Sequence, residues 1–278
     1  VPSILANGIE QVYQIRGKGQ PLVLVHGGFV DSRMWEPQVD YFATDYQVIT
    51  YDLRGHGETG ETTTKKYSME LYADDLKALL DELGIDQVIL CGLSLGGMIA
   101  QAFAVKYPRR LLALVLSDTA VSVSLTLSDK IQRYVLFPKW LMLLTIRMMN
   151  VQRFVEYSFW LAKWTRSLGW FGHNEETMEY VKATMLNTST QEYLKIYDAI
   201  YDFDLLDLGA ISVPTLILNG EHESKSVLRH TEEMRRLIPK IETHIVPGAG
   251  HTSNMENPEA FNGFVDDFLG RVLSNKVN

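Results

Sequence analysis

The chain has 278 residues, 46% hydrophobic and 22% charged, enough to bury the core of one large α/β domain with room for an insertion. Its formal net charge of −8 argues against a nucleic-acid binder, because phosphate contacts need clustered Lys and Arg. Cys91 is the sole cysteine, so no intrachain disulfide can form, and its place at the end of an apolar run predicts a packed, inert thiol. Val1-Pro2-Ser3 opens without the basic region and apolar core of a secretory leader, and a cytoplasmic location is expected.

Ile9 to Ile15 alternates weakly and predicts an edge strand. Leu22-Val23-Leu24-Val25 is continuously apolar, the pattern of a strand buried on both faces. A helical pattern over Ser32–Ala43 leads to a second such run, Val48–Tyr51. Ser68 to Leu83 carries an amphipathic stripe through Leu71, Leu76, Leu79 and Leu80, and Gly84 stops it. Val88–Cys91 and Leu112–Leu116 are further buried runs, with a helical stretch at Met98–Tyr107 between them. Such alternation predicts right-handed crossovers and a mostly parallel sheet with helices on both sides.

From Val121 to Leu208 the rhythm breaks. This region has no strand pattern and is rich in Leu, Met and aromatics, including Trp140, Trp160, Trp164 and Trp170. Pro138, Gly169 and Gly172 predict the ends of several short helices. Its most apolar part, Tyr134 to Val151, is interrupted by Pro138, Lys139 and Arg147, which predicts an amphipathic helix and no transmembrane segment. We expect residues 121–208 to form a helical cap over the C-terminal edge of the sheet, where open α/β sheets bind ligands. Residues 1–120 and 209–278 would form the core, whose last elements are strands at Thr215–Leu218 and Thr243–Val246 and helices at Val227–Leu237 and Pro258–Leu273.

The chemistry centres on Gly92-Leu93-Ser94-Leu95-Gly96, which sits between a strand and a helix. That context puts a serine on a sharp turn, with its hydroxyl pushed out of the sheet and backbone N–H groups nearby. A serine hydroxyl is a weak nucleophile and needs a base that is itself oriented by a third group. Among seven histidines, His251 in Gly248-Ala249-Gly250-His251 follows a strand and lies in a loop that leaves an imidazole free to turn. His26 and His56 also sit in glycine-rich loops, while His173, His222, His230 and His244 read as surface, insert or strand residues.

Five motifs in order carry a resemblance to the α/β-hydrolase superfamily over nearly the full length. His26-Gly27-Gly28-Phe29 resembles its oxyanion loop, Asp52-Leu53-Arg54-Gly55-His56-Gly57 its Asp-x-Arg-Gly-x-Gly turn, and Gly92 to Gly97 its nucleophile elbow. Gly248 to His251 resembles its terminal histidine loop, and Asn257-Pro258-Glu259-Ala260-Phe261 the start of its last helix. The stretches around Ser94 and Leu114–Ala120 are similar to the enol-lactonase and small-ester carboxylesterase branch. The resemblance implies Ser94 as nucleophile, His251 as general base, and an oxyanion hole from the N–H of Leu95 with that of Gly28 or Phe29. His26 and His56 would hold their own loops.

The acid departs from the usual Gly-x-x-Asp, since Gly220-Glu221-His222-Glu223 puts a glutamate at that position. Some relatives, including an acyl-homoserine lactonase, resemble this chain in that substitution. Asp118, after the strand ending at Ser117, is the alternative acid, and Glu221 a third candidate. A serine at the elbow excludes the epoxide hydrolase and haloalkane dehalogenase chemistry of this fold, which needs an aspartate there. The resemblance thus implies a cofactor-independent, metal-free hydrolase of a carboxylic ester or lactone. Trp140, Trp160 and Trp164 are candidates for an apolar substrate pocket, and Arg133, Arg147, Arg153, Lys163 and Arg166 for binding a substrate carboxylate. C–C hydrolases, hydroxynitrile lyases and ligand receptors use the same scaffold.

Overall fold

The computed structural model describes residues 1–136, 138–165 and 174–274. Arg166, Trp170 and His173, and the helix ends expected at Gly169 and Gly172, lie outside the described residues. Eight strands form one sheet: β1 (Ser3–Ala6), β2 (Ile9–Arg16), β3 (Gln20–Val25), β4 (Tyr46–Tyr51), β5 (Val88–Leu93), β6 (Leu111–Ser117), β7 (Thr215–Gly220) and β8 (Ile241–Val246). Their order is β1-β2-β4-β3-β5-β6-β7-β8, antiparallel at β1/β2 and β2/β4 and parallel from β4 to β8. The mostly parallel sheet expected from the alternating pattern is therefore the sheet observed.

The continuous apolar runs follow from helices covering both faces. In β3, Val23 and Val25 point to one side with Ile49, Tyr51 and Leu90, while Leu22 and Leu24 point to the other with Val48, Ile89 and Cys91. The first side packs on α2 (Met69–Glu82) and α3 (Leu95–Lys106) through Leu76, Leu79, Ile99 and Phe103. The second packs on α1 (Glu36–Phe42) and the last helix, α10 (Pro258–Ser274), through Val39, Phe42, Phe261 and Val265. Helix α2 starts where Ser68 Oγ accepts the Leu71 N–H at 3.2 Å. Burial pushes the Cys91 thiol well above its ordinary range, which keeps it protonated and inert.

Two elements differ from the sequence reading. The segment Ile9–Ile15 is not an edge, because β1 pairs outside it, with Ser3 opposite Val12 and Ala6 opposite Ile9. Four residues, of which only Ala6 is fully buried, are too short a run for a hydrophobic period to be detected in β1. Between β6 and β7, α4 (Leu127–Ile131) runs into a short π-helical segment, Gln132–Leu136. Then follow α5 (Lys139–Thr165), α6 (Glu175–Asn187) and α7 (Thr190–Tyr201), with no strand among the described residues. The insertion holds several helices, as expected, but two of them run together as the 27-residue α5 and meet at Asn150 (φ 58°), whose Oδ1 accepts the Arg153 N–H at 3.1 Å and starts the second.

Charged and polar side chains fasten this insertion to the sheet. Glu192 of α7 is buried, accepts from Lys195 Nζ at 2.7 Å and from the Tyr67 hydroxyl, and receives the Thr62 N–H at 3.3 Å. Tyr180 of α6 donates to Asp31 Oδ1 at 2.9 Å. A carboxylate this buried is stable only with its full set of donors, so Glu192 fixes the height of α7 over the sheet. The remaining helices are α8 (Lys225–Leu237), after β7, and a single turn, α9 (Ser253–Glu256), after β8.

Candidate active site

Ser94 occupies the junction between β5 and α3 with φ 54° and ψ −114°, a conformation that L-residues avoid. Its backbone is locked there. The N–H donates to Ser117 O at 2.9 Å, and its carbonyl accepts from Met98 N at 3.1 Å and Thr119 Oγ1 at 2.7 Å. The flanking glycines are required by crowding. A Cβ on Gly92 would stand 2.3 Å from Gly96 O, and one on Gly96 would stand 2.1 Å from Val25 O. The turn thus presses strand β3, strand β5 and helix α3 together and leaves the Ser94 side chain as the part that projects.

His251 comes to Ser94 from the loop after β8, with Nε2 3.0 Å from Ser94 Oγ. Its Nδ1 lies 2.6 Å from Glu223 Oε2, on the loop after β7. With Glu223 ionised, Nδ1 carries the proton and donates it, leaving Nε2 as the acceptor facing the serine hydroxyl. Burial alone would raise the Glu223 carboxyl, but the charge and hydrogen bond of His251 and the Ser224 N–H outweigh it and hold the group below its ordinary value. Burial would likewise lower the His251 imidazole, yet the charge and hydrogen bond of Glu223, with a smaller contribution from Asp118, raise it above 6.5.

Asp118 is fully buried and does not reach His251 by a hydrogen bond. Its Oδ1 accepts the Gly220 N–H at 2.8 Å, and its Oδ2 accepts from Ser117 Oγ at 2.7 Å and Ser253 Oγ at 2.5 Å. It therefore ties the loop that bears Glu223 to the loop that bears His251. Burial, and next the negative charge of Glu223, push it up to about 7. Glu221 turns away and accepts the Gly248 N–H at 2.8 Å.

The two loop histidines are engaged elsewhere. His26 Nε2 accepts the Leu53 N–H at 2.9 Å and Nδ1 donates to Gly27 O at 2.7 Å, which joins the loop after β3 to the turn after β4. His56 Nδ1 donates to Arg54 O at 3.0 Å, and burial is the main cause that lowers the ring to about 3. Asp52 accepts the Ser32 and Glu58 N–H groups, both at 2.8 Å. Of the loop amides near Ser94, Gly27 N–H faces Met34 Sδ at 3.4 Å, and Phe29 is held at φ 63° with its ring stacked 4.0 Å from Tyr193. Leu95, in the first turn of α3, has an N–H with no intrahelical acceptor.

Ser94, His251, Gly28, Phe29 and Leu95 open on one cavity of about 640 Å³. Its floor is the C-terminal edge of the parallel strands. Its roof is Met142 of α5, Val181 and Met185 of α6, and Tyr197, Ile200 and Tyr201 of α7. Met34, Met98 and Val123 add to an apolar lining, and Asp129, Arg133 and His230 contribute charged or titratable groups. Of the cationic candidates, Arg133 lines the cavity, whereas Arg147, Arg153 and Lys163 are exposed. The structure does not bring Trp140, Trp160 and Trp164 to the cavity: they are 66%, 60% and 74% exposed on the outer side of α5. Trp140 falls on the side of its helix opposite Met142, and beyond the break at Asn150 Trp160 and Trp164 fall opposite the buried Val155 and Ala162.

Residues that sequence pattern does not single out also shape the site. Glu256 accepts the Gly250 N–H at 2.6 Å and the Thr252 hydroxyl at 2.7 Å, bracing both sides of His251. Tyr197 and Ile200 reach the cavity because the period of α7 buries Tyr193, Ile196 and Ala199 beneath them.

The chain belongs to the α/β-hydrolase fold family, whose model matches residues 20–258. It is 26% identical to 3-oxoadipate enol-lactonase 2 of Acinetobacter baylyi over 239 residues, 86% of this chain and 84% of that one. It is 28% identical to 2-hydroxy-6-oxo-2,4-heptadienoate hydrolase of Pseudomonas putida over 273 residues, 96% of this chain and 95% of that one. Among solved structures, a thermophilic esterase from Thermogutta terrifontis superposes with a TM-score of 0.81 at 28% identity, covering 98% of each chain.

Proposed function

We propose that this protein hydrolyses carboxylic esters or lactones, without a cofactor, through an acyl-enzyme on Ser94. In this reading His251 Nε2 takes the Ser94 proton as Oγ attacks the ester carbonyl. Glu223 holds the ring in the required tautomer and stabilises the imidazolium. The N–H groups of Leu95 and of Gly28 or Phe29 receive the developing oxyanion, each contributing about 3–4 kcal/mol to lowering the barrier. His251 then protonates the leaving alkoxide, and water repeats the sequence on the acyl-enzyme. Residues 121–208 act as the cap that sets substrate size. The observation that carries the proposal is the chain Glu223–His251–Ser94, at 2.6 and 3.0 Å, opening into a mainly apolar cavity.

A fluorophosphonate probe and a panel of p-nitrophenyl esters of graded chain length, run beside lactones, test it. The expected result is one covalent adduct, on Ser94, and turnover that rises with acyl length until the cavity is filled. Turnover of a vinylogous diketone with no ester activity and no adduct would move the assignment to C–C bond hydrolysis. The raised imidazole of His251 adds a pH signature. The base must be neutral, so kcat/KM should fall on acidification with a midpoint above pH 6.5. In Glu223→Gln the same limb should move down, because the carboxylate that raises the ring is gone. An unmoved limb would show that the two groups are not coupled.

A further inference from the structure

Helix α5 is apolar on the side that meets the protein and apolar again on the side that meets solvent. Ile146 is fully buried and Met142 lines the cavity, while Trp140, Leu144 and Met148, spaced by four, form an exposed stripe. Beyond the break at Asn150 the second half of α5 carries its own exposed stripe, Tyr157, Trp160 and Trp164, the first two stacked at 5.8 Å. Among the described residues, twelve of eighteen exposed large hydrophobic side chains fall between Leu127 and Trp164. An ordinary surface helix turns its polar side to water, so this pattern calls for an apolar occupant on the outside.

Charge identifies the occupant. Over Lys139–Thr165 the sequence carries Lys139, Arg147, Arg153 and Lys163 against Glu156 alone, a net +3 in a chain of net −8. Lys139 is neutralised by Asp198 and Asp202, and Glu156 by Lys182. Arg147, Arg153 and Lys163 are exposed and enter no ion pair among the described residues. Tryptophan and tyrosine amid unpaired Lys and Arg on an amphipathic helix is the composition of a helix lying in a lipid interface. A second copy of this chain fits less well, because a two-fold contact through this face would set the same cations against each other. No helix among the described residues is long and apolar enough to cross a membrane, so the contact is with the surface.

We propose that the exposed stripes of the two halves of α5 dock this protein on anionic lipid surfaces, with Trp140, Leu144, Met148, Tyr157, Trp160 and Trp164 in the headgroup–acyl boundary and Arg147, Arg153 and Lys163 against lipid phosphates. The same helix roofs the cavity through Met142, so docking sets the cavity beside the lipid phase. An apolar ester could then pass to Ser94 with little exposure to water.

The test is co-sedimentation of the full chain with vesicles of phosphatidylcholine, with and without phosphatidylglycerol, together with tryptophan emission. Binding should need phosphatidylglycerol, weaken with added salt, and shift emission to the blue. Leu144→Glu with Met148→Glu should reduce vesicle binding at least tenfold and leave turnover of a water-soluble ester unchanged, which also shows that the variant folds. Arg147→Glu should weaken binding to the anionic vesicles. Absence of binding by the native chain, or undiminished binding by the double variant, overturns the proposal. So does a concentration-dependent dimer that the double variant abolishes while vesicles take up no protein.

Discussion

Ser94→Ala should lower ester or lactone turnover about 10⁵- to 10⁶-fold, equivalent to some 7–8 kcal/mol of barrier, while the fold persists. The expectation rests on how the serine is held: Ser94 Oγ stands 3.0 Å from His251 Nε2 on a turn whose N–H and carbonyl are both tied down. The oxyanion donors are backbone groups that the substitution leaves in place, so a small residual rate remains. Turnover within about tenfold of the native rate would remove Ser94 from the reaction altogether. The same position offers a separate stability reading. At φ 54° an alanine keeps the strain of the native turn, whereas a glycine relieves it. Ser94→Gly should therefore be at least as stable as Ser94→Ala, by up to about 1 kcal/mol, the reverse of the usual order of these residues. Thermal melts of the two inactive variants give that comparison directly.

What could be read from the sequence tracks what each segment is asked to bury. Strands β3, β5 and β6 are legible because both faces are covered, so every residue must be apolar. The pattern ended within a residue or two of where hydrogen bonding ends. Ser68 and Gly84 mark α2 because a cap and a left-handed stop each demand a particular residue type. The elbow was legible for a similar reason: Gly92 and Gly96 have no room for a Cβ, so both positions admit only glycine. Strand β1 was hidden because four residues with a single fully buried side chain, Ala6, are too few to show a period. The tryptophans of α5 were read toward the substrate because hydrophobicity records how much a side chain avoids water and not which side of a helix it occupies. Only the placement of Met142 and Ile146 before the break, and of Val155 and Ala162 beyond it, decides that the tryptophans face out. The cavity lining escaped because Tyr197 and Ile200 share a stripe of α7 with Tyr193 and Ile196, one turn further along, and only the position of the cavity over the sheet separates the two pairs.

The choice of acid is the second large effect. Glu223→Gln should lower kcat/KM about 10³- to 10⁴-fold, because the amide keeps the shape but no longer compensates an imidazolium and can stabilise the wrong tautomer. Asp118→Asn should stay within about tenfold of the native rate. The contrast follows from their bonds. Glu223 Oε2 meets Nδ1 at 2.6 Å, whereas Asp118 spends its oxygens on the Gly220 N–H and on the hydroxyls of Ser117 and Ser253. An asparagine can keep the Gly220 bond through its carbonyl, and both serine hydroxyls can rotate to accept from its amide. Stability supplies a second discriminator. Burial raises the Asp118 carboxyl from 3.8 to about 7, so the folded state binds its proton more tightly than the unfolded chain does. Its contribution is greatest below pH 4 and is lost as pH rises toward 7. Glu223 is shifted the other way, so its contribution is present above its ordinary value and lost on acidification. Asp118→Asn should therefore gain stability relative to the native chain as pH rises from 4 to 7, whereas the deficit of Glu223→Gln should already be complete above pH 4.5 and shrink only on acidification below it, as paired denaturant titrations would measure. If instead Asp118→Asn carried the thousandfold loss and Glu223→Gln were nearly silent, the charge that His251 needs would be supplied from β6, and the hydrogen bond to Glu223 would serve only to position the loop.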